Sequence, residues 1–121
     1  MVYYPDQTNS GDLVRVGWLA TDVPFSKGPV SATFSARLLA LCLHQRTKQT
    51  RGFHLCPFCD SPPTGMPVEV EGRVFKLGSA EIHVKAPDGR TFAAPDLIYH
   101  YVAQHGYKPP LEFIDVVELD S

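Results

Sequence analysis

The sequence predicts an α+β fold: a small antiparallel β-meander with three helices packed on it. Three observations carry that prediction. Four short β-type runs follow one another between residues 68 and 93, with turn-forming residues at the junctions. Two stretches, beginning near Ser31 and near Pro95, carry apolar residues at helical spacing. A Cys-x-x-Cys pair, Cys56 and Cys59, is followed some forty residues later by His100 and His105, a spacing that ties distant parts of a short chain together.

The first element in order is a strand from Asp12 to Ala20, in which Val14, Val16 and Trp18 alternate with Arg15 and Gly17. Pro24, Gly28 and Pro29 then make a loop. Ser31 is a natural N-cap, and a helix is expected from it to about Gln45. Phe34, Leu38, Leu41 and Cys42 fall on one stripe of that helix, which makes Cys42 a small core residue and not a ligand. Residues 47–53 read as a polar connection into the cysteine pair, and 60–65 as a loop.

The strands of the meander are expected at Val68–Val70, Arg73–Leu77, Glu81–Lys85 and Arg90–Ala93. Glu71-Gly72 and Pro87-Asp88-Gly89 supply the tight turns. Pro95 suits the first position of a second helix, because its missing N–H would have had no helical partner there. Gly106 ends that helix just after His105 by offering the left-handed conformation. Pro109 and Pro110 open a third helix, where Phe113, Ile114 and Val117 share a face.

Composition narrows the function classes. A chain of 121 residues is expected to form one domain, 1–121, and can bury about two-thirds of its unfolded surface without help from a metal. The longest apolar run, Leu38 to Leu43, falls far short of the ~20 residues that span a bilayer, so no membrane partner is expected. The first residues lack the basic and apolar regions of a secretion signal, which points to the cytoplasm. Three cysteines suit a reducing compartment, since an odd count with two of them three positions apart makes a poor disulfide framework. A net charge of −2 disfavours a dedicated nucleic-acid binder.

The cysteine and histidine spacings are those of a zinc-finger-like Cys2His2 site with Cys56, Cys59, His100 and His105 as ligands. Zinc imposes no geometry of its own and takes four thiolates or imidazoles tetrahedrally, so such a site is closed and structural. Pro57 stiffens the knuckle, and the amides after it can point at the first thiolate. The histidines pose a geometric difficulty. Residues five apart in an α-helix are rotated by about 140°, so both can serve only if the second lies at the helix end. The plainer alternative is a core-facing His105 beside the stripe of Leu97, Ile98, Tyr101 and Val102, which leaves the cysteine pair unexplained. His54 is the substitute ligand. His44 and His83 are read as ordinary surface or border residues.

Other chemistries are weighed on the same residues. Cys-Pro-Phe-Cys is also a glutaredoxin-like motif, but Asp-Ser-Pro-Pro-Thr-Gly after it cannot start the long helix that lowers the first thiol's pKa. A zinc deaminase needs an upstream His-x-Glu, which is absent. The run from His44 to Arg51 brings three positive charges beside the knuckle and supports a nucleic-acid alternative, opposed by the acidic Glu112, Asp115, Glu118 and Asp120. An enzyme would need a water-bearing metal with an acid or base such as Glu81 or Asp96.

Two motifs, Phe53-His54-Leu55-Cys56-Pro57-Phe58-Cys59 and the segment from Ala94 through His100, His105 and Gly106 to Phe113, resemble those of a group of small, uncharacterised bacterial cytoplasmic proteins. Val16-Gly17-Trp18-Leu19 is similar to its N-terminal part. The resemblance implies pairing of the knuckle with the later histidines and brings no catalytic residues, because that group has no established activity. The resemblance leaves the function open; the closed four-ligand site is what points to a non-catalytic, zinc-stabilised interaction or accessory module, an immunity-type role included. Another protein is the expected partner, and Trp18, Tyr99, Tyr107 and Pro109-Pro110 are candidates for the contact surface, each equally able to serve as core or packing.

Overall fold

The computed structural model describes residues 8–10, 13–21, 23–44, 46–47, 56–58 and 66–119. Its elements run β1 (Thr8–Ser10), β2 (Leu13–Arg15), α1 (Ala32–His44), β3 (Arg46–Thr47), β4 (Met66–Val70), β5 (Arg73–Leu77), β6 (Glu81–Lys85), β7 (Thr91–Pro95), α2 (Ile98–His105) and α3 (Leu111–Leu119). The class is α+β, with three helices among the described residues. The strands form two sheets: five strands in the order β1-β2-β7-β6-β3, and the hairpin β4-β5.

The two hairpins of the meander are present, but they part company between β5 and β6. Gly78 there takes φ 121°. Its N–H donates to Asp96 Oδ1 at 2.8 Å, and the Asp96 N–H donates to the Ala80 carbonyl at 3.0 Å. These bonds tie the connection to the end of β7, so β6 folds onto β7 and not back onto β5. Of the other pairings, β1 with β2 and β3 with β6 are antiparallel, while β2 pairs with β7 in parallel, in the register Leu13↔Thr91 to Arg15↔Ala93. Turn chemistry explains the β4–β5 hairpin. Glu71 and Gly72 have φ of 51° and 79°, the left-handed pair that a two-residue hairpin turn requires.

The first long strand proves shorter than Asp12 to Ala20 because Gly17 turns the chain at φ 81°. Val16 N–H and the Trp18 indole N–H both donate to the Ala93 carbonyl, at 3.0 and 3.2 Å. A Cβ on Gly17 would fall 2.9 Å from Ile98 Cδ1 in the core. Gly17→Ala is therefore expected to cost more than the ~1–2 kcal/mol of a left-handed alanine alone. The shift of the urea midpoint would measure it, and an unchanged midpoint would contradict this account.

Helix α1 starts as read: Ser31 Oγ accepts from the Phe34 N–H at 3.0 Å. Phe34, Leu38, Leu41 and Cys42 are all buried. Arg37 reaches the Glu118 carbonyl, and Ser31 Oγ donates to Glu118 Oε1 at 2.6 Å, joining α1 to the end of α3. Phe113 of α3 packs edge-on to Phe34 of α1 and Phe92 of β7, which locks three elements into one core. Pro95 does not open α2. It closes β7 opposite Glu81, and the helix begins three residues later because Asp96 is held by Gly78 and Ala80. The helix ends as expected, at Gly106 with φ 69° and the Tyr107 N–H bonded to the Tyr101 carbonyl at 3.1 Å. No helix among the described residues is long and apolar enough to cross a membrane.

Candidate metal centre

Three of the four expected ligands fall within the described residues, and the fold brings all three together. Cys56, His100 and His105 place one ligand atom each within 4.8 Å of one another. Cys56 Sγ lies 3.4 Å from His105 Nε2, and His105 Nε2 lies 3.2 Å from His100 Nε2. Cys59 and the substitute ligand His54 lie outside the described residues.

The helix end solves the rotation problem. His100 is the third residue of α2, and His105 is its last, directly before the left-handed Gly106. Their rings meet with centroids 4.9 Å apart at 79°, so the two Nε2 atoms converge although the Cα atoms are about 140° apart around the helix. The described part of the knuckle, residues 56–58, turns back on the first sulfur. Phe58 N–H donates to Cys56 Sγ at 3.4 Å, the amide-to-sulfur bond that stabilises a thiolate. The Phe58 ring then packs against His105 and Tyr101, with centroids 5.4 and 6.0 Å away.

Burial sets the electrostatics. His100 and Cys56 are buried, while His105 is half-buried. Desolvation, helped by the neighbouring His105, lowers the His100 pKa from the usual 6.5 to about 4. His100 is therefore neutral near pH 7, the form that offers a lone pair to a metal. A ring nitrogen carries one hydrogen or one lone pair, so His105 Nε2 cannot make direct hydrogen bonds of its own to both neighbours in one tautomer. A cation between the three atoms satisfies all of them.

The remaining candidates separate from the cluster. His83 Nε2 meets Glu81 Oε1 at 3.0 Å on β6, and His44 packs edge-on to Phe75. Cys42 is buried in α1 as expected. Glu81 is bonded to His83 and Asp96 to Gly78, and neither belongs to the group formed by Cys56, His100 and His105. Of the contact-surface candidates, Trp18, Tyr107 and Pro109 are buried, because the loop around Lys27 bridges to Tyr107 and the Ala93 carbonyl holds the Trp18 indole. Tyr99 is half-buried and lines a hollow beside His100 with Met66 and Gln104. Of the basic run, Arg46 and Thr47 are strand β3, paired with Ile82 and Glu81 of β6. Residues 48–51 lie outside the described residues. Sequence reasoning passed over Phe25 and Lys27, which line a second hollow beside His105. Their loop is placed by backbone bonds to Gly106 and Lys108, which leave no pattern in the sequence.

Fold and cluster together define an α+β protein with a buried Cys/His centre that could hold a metal. The model of a family described as a domain of unknown function, DUF7919, matches residues 1–118, and the chain belongs to that family. This agrees with the resemblance of its knuckle and helix motifs to an uncharacterised group. No curated protein and no solved structure matches the chain.

Proposed function

We propose that this chain is a non-catalytic module, stabilised by one zinc ion on Cys56, Cys59, His100 and His105, that presents a surface to another protein. The observation that carries the reading is the convergence of Cys56, His100 and His105. A tetrahedral ion with Zn–S of about 2.3 Å and Zn–N of about 2.0 Å has S···N edges of about 3.5 Å and N···N edges of about 3.3 Å. The observed separations of 3.4 and 3.2 Å lie close to those edges.

The donor set favours zinc over calcium or magnesium, which prefer oxygen. A thiolate with two imidazoles also suits a structural ion better than a hydrolytic one once Cys59 takes the fourth corner, since no position is then left for water. His100 is already neutral and need lose no proton to bind, whereas each cysteine gives up its thiol proton, so zinc uptake releases protons and weakens as pH falls.

Metal analysis of the purified full chain, combined with thiol titration, tests the reading. One zinc per chain is expected, with the thiols of Cys56 and Cys59 unreactive until a chelator is added. A metal-free protein with a reactive Cys56 would instead favour thiol redox chemistry.

A further inference from the structure

Next to the centre, a hollow of about 510 Å³ opens on the side of His105. That volume lies within the range of small-molecule sites, roughly 300–1,000 Å³. One wall is the segment Val23-Pro24-Phe25 with Lys27, the other is Phe58, and His105 forms part of the floor. The Phe25 and Phe58 rings pack on one another with centroids 5.2 Å apart at 56°, and both are half-buried, so an apolar body laid across their exposed edges would displace water from two aromatic surfaces. Lys27 Nζ stands 5.3 Å from the Phe25 ring centroid and is the permanently charged group among the lining residues.

Both walls are held from outside the hollow. The loop is fixed to the end of α2 by Gly28 N–H to the Gly106 carbonyl at 3.1 Å and Lys108 N–H to the Ser26 carbonyl at 2.9 Å. Phe58 belongs to the knuckle whose first residue is Cys56, so a metal on Cys56 fixes this wall as well. Rigid aromatic walls with one cation at the rim form a selective arrangement: the rings accept apolar bulk of many kinds, and the ammonium chooses the sign of the charge.

We propose that this hollow binds a small organic carboxylate with an aromatic or branched apolar tail, the tail lying across the paired rings of Phe25 and Phe58 and the carboxylate at Lys27. The proposal rests on the metal-centre reading, because the ion positions Phe58. It adds a ligand site to that reading.

The test is an NMR titration of the full, zinc-assayed chain with 3-phenylpropionate, its neutral amide and 2-phenylethylamine. The acid is expected to bind about fivefold tighter than the amide, as an exposed ion pair allows, and the amine weakest. Lys27→Met keeps the aliphatic stem and should erase the acid's preference without changing zinc content. Phe25→Ala should weaken acid and amide alike by about tenfold, the effect of losing one apolar wall. Equal binding of all three probes, or shifts that do not map to Phe25, Lys27 and Phe58, would overturn the proposal. A zinc-loaded chain that binds no probe sinks the ligand site alone, whereas a chain that holds no zinc sinks the metal reading whatever the titration shows.

Discussion

Cys56→Ser is expected to abolish stoichiometric metal binding and with it most of the folded population. A structural zinc contributes an apparent ~10–16 kcal/mol in small metal-dependent domains, while a whole domain is stable by only about 5–15 kcal/mol. A serine hydroxyl stays protonated near pH 7 and is a poor zinc ligand, so the substitution removes one corner even though its oxygen can still accept from the Phe58 N–H. His100→Ala should act in the same direction, because it removes a buried ligand of α2. Metal content and the thermal midpoint report both effects. A Cys56→Ser protein that retains one zinc and the parental midpoint would contradict the proposed coordination.

The second large effect is expected far from the metal. Phe113→Ala empties the centre of the core, where the ring touches Phe34 and Phe92 and is fully buried. Large-to-small changes of this kind cost about 3–5 kcal/mol, the transfer free energy of the ring together with the cavity it leaves. Denaturant unfolding should show that loss, while metal stoichiometry of the folded fraction stays at the parental value. The pair of variants thus separates two sources of stability. Cys56→Ser acts through the ion and should be insensitive to added chelator, and Phe113→Ala acts through packing and should stay chelator-sensitive. A chelator-insensitive Phe113→Ala would show that the core change has reached the metal centre.

Local chemistry made much of this fold legible in advance. Ser31 before an apolar stripe located α1, Gly106 located the end of α2, and Glu71-Gly72 located a hairpin. Each is a short-range rule with its own steric or hydrogen-bonding cause. The extent of the first strand and the start of α2 were not legible, because Gly17 and Asp96 are set by partners far along the chain. Gly17 packs against Ile98, and Asp96 answers to Gly78 and Ala80. The parallel β2–β7 pairing joins residues nearly eighty positions apart and has no local signature.

The candidate centre was readable to a greater depth than its surroundings. Ligand spacing named Cys56, His100 and His105, and these three do converge. The hollow of Phe25 and Lys27 was invisible because a half-buried loop carries no periodicity, and its position follows from the backbone of Gly106 and Lys108. For Trp18 and Tyr107 the sequence left surface and core equally open, and the structure places both in the core. Aromatic residues with a polar tip serve core and interface equally well, and only their partners decide.

X-ray absorption at the zinc edge of the purified full chain tests the central claim most directly. The account predicts one zinc per chain, with two sulfur neighbours at about 2.3 Å and two imidazole nitrogens at about 2.0 Å. A shell of oxygen neighbours alone, or no bound zinc at all, would contradict it.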